Sequence, residues 1–334
     1  MWQEVDDHLT RRLWIDEEWS VRGPESLTWW PWFLAQSINV IGSGSFTDDD
    51  SDNFLTVSAE TRVAESDEEV GLALCQEANR VFPLGAFVWE DGVIRVVTNL
   101  ALNPLCRGLL HLFHEACLAQ ATVAHELALE WQHLDGVTVL PSAHPNSGMR
   151  EDPDELLQIF AGGERSDGTV PDDLVDALGL ARTLYVRTLL DRGLTAGFSD
   201  EEVDFFNGPG IEVAVGRMDD SVAAAKYGLG LIVMTRVTEP GEVPPPEHVN
   251  DFNVAFASSP VTSLFGNVRA YPNDPVNGSQ FFAYLPGGFL AESRYDISAL
   301  AITVVNAVWH CTGAVRYFWS EVERLGSAGD GAEA

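Results

Sequence analysis

Lysine is almost missing from this chain: Lys226 is the only one among 334 residues, and Lys and Arg together number 19 against 51 Asp and Glu, a net charge of −32. So few cations on so acidic a chain repel phosphate backbones and anionic lipid headgroups, which argues against nucleic acid and membrane surfaces as partners. The acidity reads either as a proteome-wide preference or as a field that attracts basic partners. Cysteine is also scarce, at four. Cys106 and Cys117 fall on one predicted helix about 16 Å apart, too far to bridge. Cys75 and Cys311 sit in other apolar helical patterns, and no CxxC occurs. Reduced thiols of a cytoplasmic protein are expected. No apolar leader opens the sequence. The longest apolar stretch, Ile297 to Trp309, is broken by Ser298, Thr303 and Asn306, so no membrane insertion is expected.

The usual catalytic and ligand-binding motifs are missing too. His125-Glu126 is followed by Leu127-Ala128-Leu129, so there is no HExxH, and no GxSxG is found. Gly42-Ser43-Gly44-Ser45 and Gly228-Leu229-Gly230 lack the Lys and the following helix of a phosphate loop. Asp48, Asp50 and Asp52 alternate like a calcium loop, but Asn53 stands where Gly is needed and Ala59 where Glu is needed. No cofactor is expected.

What is present is an internal echo. Thr61-Arg62-Val63-Ala64-Glu65 and Thr235-Arg236-Val237-Thr238-Glu239 are 174 residues apart, Pro83 and Pro260 are 177 apart, and each is followed by an apolar hairpin and a long helix. A duplication accounts for this. In the first copy, Thr28 to Ile41 and Asn53 to Val63 read as strands around an acidic turn at 42–52. Ser66-Asp67-Glu68-Glu69 reads as a capping box with Ser66 as the cap, and a second box stands at Ser199-Asp200-Glu201-Glu202. Asp91-Gly92 marks a tight hairpin between Ala86 and Leu100. Asn103-Pro104 should open a helix reaching about His133. In the second copy, strands at Ile211 to Gly216 and Leu229 to Val237 precede a helix after Pro244-Pro245-Pro246. A hairpin at Leu264 to Leu285 and a helix from Asp296 to Leu325 follow. Each module reads β-β-α-β-β-α, an antiparallel sheet packed with helices, which is the α+β class. The expected division is an N-terminal segment 1–25, module 26–134, a linker with a helix 135–198, module 199–326, and a disordered tail 327–334.

The run from Phe87-Val88-Trp89-Glu90-Asp91-Gly92-Val93-Ile94-Arg95-Val96 through Leu100 and Asn103-Pro104 into the long helix resembles the superfamily of YbjN-type proteins and type III secretion chaperones. The second module matches more weakly, its hairpin being lengthened by Pro272-Asn273-Asp274-Pro275-Val276-Asn277-Gly278. The resemblance implies a non-enzymatic module that binds protein segments or works as a homodimer, so two in one chain would look like a covalent dimer. It implies no catalytic residues.

Two clusters are candidate sites. His114, His125 and His133 lie at roughly 300°, 320° and 40° around the helix from His111, one stripe opposite Leu109, Leu112, Phe113, Ala116, Val123, Ala124, Leu127 and Trp131. His111 and His114, one turn apart, are the only pair placed to share a metal. A polar stripe facing solvent or a partner is the simpler expectation, with no metal. Trp29-Trp30-Pro31-Trp32-Phe33 is the other cluster. Pro31 cannot donate to a ladder, so the strand should be an edge or bulged there. Trp29, Trp30 and Trp32 then either pack under neighbouring elements or form a partner-binding strip. The reading that follows is a cytoplasmic, non-catalytic adaptor for a protein client or partner subunit, possibly a basic one. An enzyme using the His111/His114 stripe and a structural subunit of a larger assembly are the alternatives.

Overall fold

A computed structural model describes residues 1–45, 53–82, 84–102, 109–162, 203–206, 211–218, 230–237, 245–258, 266–270 and 279–286. The Asp48–Asp52 turn, the Asn103-Pro104 cap, the helices expected at 172–192 and 296–325, and the tail lie outside the described residues.

The protein is α+β. Helix α1 (Trp2–Arg12) precedes strands β1 (Ser20–Gly23), β2 (Ser26–Trp29), β3 (Gln36–Ser45) and β4 (Asn53–Ser66). Helix α2 (Glu68–Val81), the hairpin β5 (Ala86–Glu90) and β6 (Val93–Leu102), and helix α3 (Leu109–Trp131) follow. Next come β7 (Val137–Val139), α4 (Glu155–Gly162), β8 (Val203–Phe206), β9 (Ile211–Met218), β10 (Gly230–Val237), α5 (Pro246–Ala257), β11 (Gly266–Ala270) and β12 (Ser279–Pro286). One antiparallel sheet runs β1-β2-β3-β4-β6-β5, with β7 on the end of β4; the other runs β8-β9-β10-β12-β11. The steps β2-β3-β4-β6-β5 and β8-β9-β10-β12-β11 visit their strands in the same order.

The local chemistry explains the elements. Asp91 and Gly92 both take positive φ, 51° and 85°, as a two-residue hairpin turn demands. Helix α2 starts one residue later than its capping box suggests. Asp67 is the cap, accepting Val70 N–H at 3.0 Å, while Ser66 still pairs in β4 as its last residue. The residues after the second box, Val203–Phe206, are strand rather than helix.

The expected strand over 28–41 is broken. β2 stops at Trp29 and β3 begins at Gln36, because the chain turns inward between them. Leu34 is fully buried there, and Pro31 C=O accepts Asp154 N–H at 2.7 Å rather than a ladder partner. Residues 137–162 of the expected linker form defined elements and contacts on the first module. β7 pairs with β4, and residues 141–154 cross the 30–34 loop, with Ser142 N–H on Phe33 C=O and Arg150 on Trp30 C=O.

Helix α3 is the largest correction. It packs on β4 and β6, and His114, residues 116–125, Ala128 and Trp131 are all buried. Of the stripe expected to be polar, His114 and His125 face protein, because α1 and the 30–34 loop close over them, while His133 is exposed as expected. Buried amides satisfy the polar groups between helix and sheet. Gln36 donates to Cys117 C=O at 2.9 Å and accepts Trp29 Nε1–H at 2.8 Å; Gln120 donates to Ala59 C=O at 2.9 Å.

Period-2 alternation gives β6 a second buried face. Val96 and Thr98 face α3, where Thr98 meets Gln120, while Val97 joins Ala86, Val88, Val254 and Ala257 in an apolar cluster that includes α5. Burying such aliphatic side chains stabilises by about 25 cal/mol per Å².

Candidate functional site

Three places hold chemistry-bearing side chains, and the first is a seam where α1 meets α3. α1 is held by Val5 and Leu9, one turn apart and buried, and by Asp6, which takes Arg22 at 3.2 Å. This lays His8 against α3. His8 Nε2 is 3.0 Å from His114 Nδ1, and His114 Nε2 is 2.8 Å from Glu115 Oε1. The result is a hydrogen-bonded chain, His8–His114–Glu115, with a buried imidazole between two half-buried residues. The backbone of His111 is in α3 one turn before His114; its side chain lies outside the described residues. Sequence spacing offered His111 with His114; the fold offers His8, which no spacing rule links to a residue 106 positions away. Among the described residues no group of three His, Cys, Asp or Glu is placed to hold a metal ion.

His125, on the same predicted stripe, does something else. Its Nδ1–H donates to Ala121 C=O at 2.6 Å and its Nε2 accepts Leu34 N–H at 3.0 Å. Trp32 stacks on the ring at 5.6 Å between centroids and Phe33 meets it edge-on at 4.9 Å. Burial drives its pKa down to about 4, against a smaller upward pull from the Ala121 carbonyl. The neutral ring is a backbone clamp. Cys75 and Cys117 are buried free thiols pushed well up in pKa, both by burial and Cys117 also by the Glu115 charge, so neither is a ready nucleophile.

The tryptophan run is mostly interior. Trp29 is 2% exposed and Trp30 6%; Trp32 is half-buried. Trp30 Nε1–H reaches Ser142 Oγ at 3.3 Å and its ring meets His144 edge-on at 4.7 Å. Trp32 Nε1–H donates to Glu151 C=O at 3.0 Å. Of the two readings of this run, packing holds for Trp29 and Trp30. The 141–154 segment occupies the face that a docking strip would need.

The third place is where the two sheets approach. Strand β5 is an edge, and its outward backbone groups are filled by asparagine side chains. Asn79 of α2 donates to Phe87 C=O at 2.9 Å and accepts Phe87 N–H at 2.7 Å. Asn250 of α5 does the same two residues on, at Trp89, at 2.7 and 2.8 Å. Asn267 of β11 donates to Phe82 and Gly85 carbonyls, both at 2.7 Å, and Asn99 donates to Ala257 C=O at 2.6 Å. An edge plugged in this way cannot accept an added strand. Helix α2 lies flat on Trp89, so a Cβ at Gly71 would overlap the indole. Beside this contact, an open groove of about 780 Å³ runs between α2 and α5, with Leu72, Ala73 and Pro246 among its apolar lining and Asp67, Glu68, Glu69 and Glu247 as acids.

Among the described residues no helix is long and apolar enough to cross a membrane. No protein-family model, curated protein or solved structure matches the chain.

Proposed function

We propose that this chain is a non-catalytic, protein-binding adaptor of the cytoplasm, made of two duplicated chaperone-like modules, and that the α2/α5 groove takes a basic, amphipathic client segment. The observation that carries this reading is the groove itself, an apolar lining with four carboxylate residues. Apolar side chains of a client would supply buried area, and its Arg or Lys residues would select the acid. The shared strand order of the two sheets supports the duplication, and the asparagine contacts across them support a dimer-like arrangement within one chain. Strand addition at β5 is not part of the proposal, because Asn79 and Asn250 occupy that edge.

The test is capture from the native cytoplasm followed by mass spectrometry, with the wild type and a Glu68→Gln, Glu69→Gln, Glu247→Gln variant. The expected result is a client set enriched in basic segments, weakened by added salt and lost in the triple variant. Capture that neither salt nor the variant changes would overturn the groove as the site. A second reading, an enzyme, is favoured by one observation, the His8–His114–Glu115 chain. Turnover that His114→Ala abolishes would establish it.

A further inference from the structure

We propose that His8 and His114 form a binding site for a divalent transition-metal ion of the zinc type, with Glu115 orienting the second ligand. Three observations converge. First, two imidazole nitrogens from different helices, His8 Nε2 and His114 Nδ1, meet at 3.0 Å. Ligand nitrogens about 2.0–2.1 Å from a tetrahedral zinc are separated by about 3.3 Å. A shift of a few tenths of an ångström would open the pair around an ion. Second, Glu115 Oε1 lies 2.8 Å from His114 Nε2, the nitrogen that does not face His8. A carboxylate in that position takes the Nε2–H and so directs the Nδ1 lone pair toward His8. This is the outer-shell arrangement that fixes tautomer and ring angle in metal-ligating histidines. Third, the ring to be oriented is packed in the interior. The His114 side chain is 9% exposed and that of Glu115 13%, on a helix whose residues 116–125 are all buried.

The chemistry of the donors selects the ion. Two imidazoles suit Zn²⁺, Ni²⁺ or Cu²⁺, and a magnesium or calcium site would need oxygen ligands instead. The net charge of −32 raises the local concentration of any dication. Among the described residues no group of three His, Cys, Asp or Glu is placed to hold an ion, so water completes the shell of a two-imidazole site and the ion is exchangeable rather than structural. Binding ties α1 to α3, and the water positions are open to a third party. The proposal does not rest on the adaptor reading, since the seam and the α2/α5 groove share no residues.

The test uses full-length protein purified without a histidine tag and stripped with chelator. Co²⁺ is titrated in and followed by its visible d–d absorption, then displaced with Zn²⁺. The expected result is one Co²⁺ per chain with a tetrahedral spectrum, lost on Zn²⁺ addition. His8→Ala, at the half-buried end of the pair, should abolish the band while the far-ultraviolet circular dichroism stays unchanged. Glu115→Gln should weaken affinity about 10- to 100-fold while leaving the band shape intact. Imidazole ring shifts of His8 and His114 on Zn²⁺ addition give a second readout should His8→Ala disturb the fold. The proposal fails if no tetrahedral band forms. It also fails if His8→Ala binds Co²⁺ as the wild type does.

Discussion

Two histidines about three turns apart on α3, His114 and His125, are both buried, yet their hydrogen-bond partners differ in kind. Both nitrogens of His125 are engaged by backbone, its ring is walled by Trp32 and Phe33, and it is held neutral. Both nitrogens of His114 meet other titratable side chains. A histidine whose partners are amides can only hold the fold in place. One whose partners are an imidazole and a carboxylate can also pass a proton or take an ion. Burial alone therefore does not separate a structural histidine from a functional one; the identity of the hydrogen-bond partners does.

That contrast can be broken experimentally. The largest effect expected is from His125→Ala, which strands the Leu34 N–H in the interior and removes the ring under Trp32. A loss of about 3–4 kcal/mol is expected in urea unfolding. A loss under about 1 kcal/mol would mean that the 30–34 loop holds itself.

Acid should act next most strongly, and through His125. Its folded pKa of about 4 lies below the usual value near 6.5, so between those pH values the unfolded chain binds more protons. This contribution is fully present above about pH 6.5 and is lost as the pH falls toward 4, by about 3 kcal/mol at most. Urea midpoints of the wild type and His125→Gln, compared at pH 7 and pH 4.5, should converge at the lower value. Parallel curves would sink the assignment.

The smallest effect sharpens the comparison. A double-mutant cycle between His8 and His114 should show coupling of about 0.5–1.5 kcal/mol, while one between His114 and His125 should be additive within about 0.5 kcal/mol. Equal coupling in both cycles would dissolve the distinction between the two regions.

The asparagines carry a related lesson. Asn79 stands in a helix otherwise patterned by Leu72, Cys75 and Ala78, and Gln120 stands between Ala119 and Ala121, so both are polar residues in apolar surroundings. That anomaly was visible in the chain and signals a buried hydrogen bond. Its partner was not visible. Gln120 reaches Ala59, and Asn250 reaches Trp89 from 161 residues away.

Short-range chemistry read from the chain proved reliable where it depends on neighbours a few residues off. The α+β class, the Asp91-Gly92 turn, the start of α5 at Pro246 and the hairpin β11–β12 follow from propensity, positive-φ residues and the missing proline N–H. The helical wheel likewise placed His114 and His125 on one side of α3. Only the tertiary structure decided what lies against that side, because a wheel gives directions around one helix axis and says nothing of which distant segment arrives there. α1 arrives at His114 and the 30–34 loop at His125, and that difference in visitors makes one ring a clamp and the other a candidate ligand.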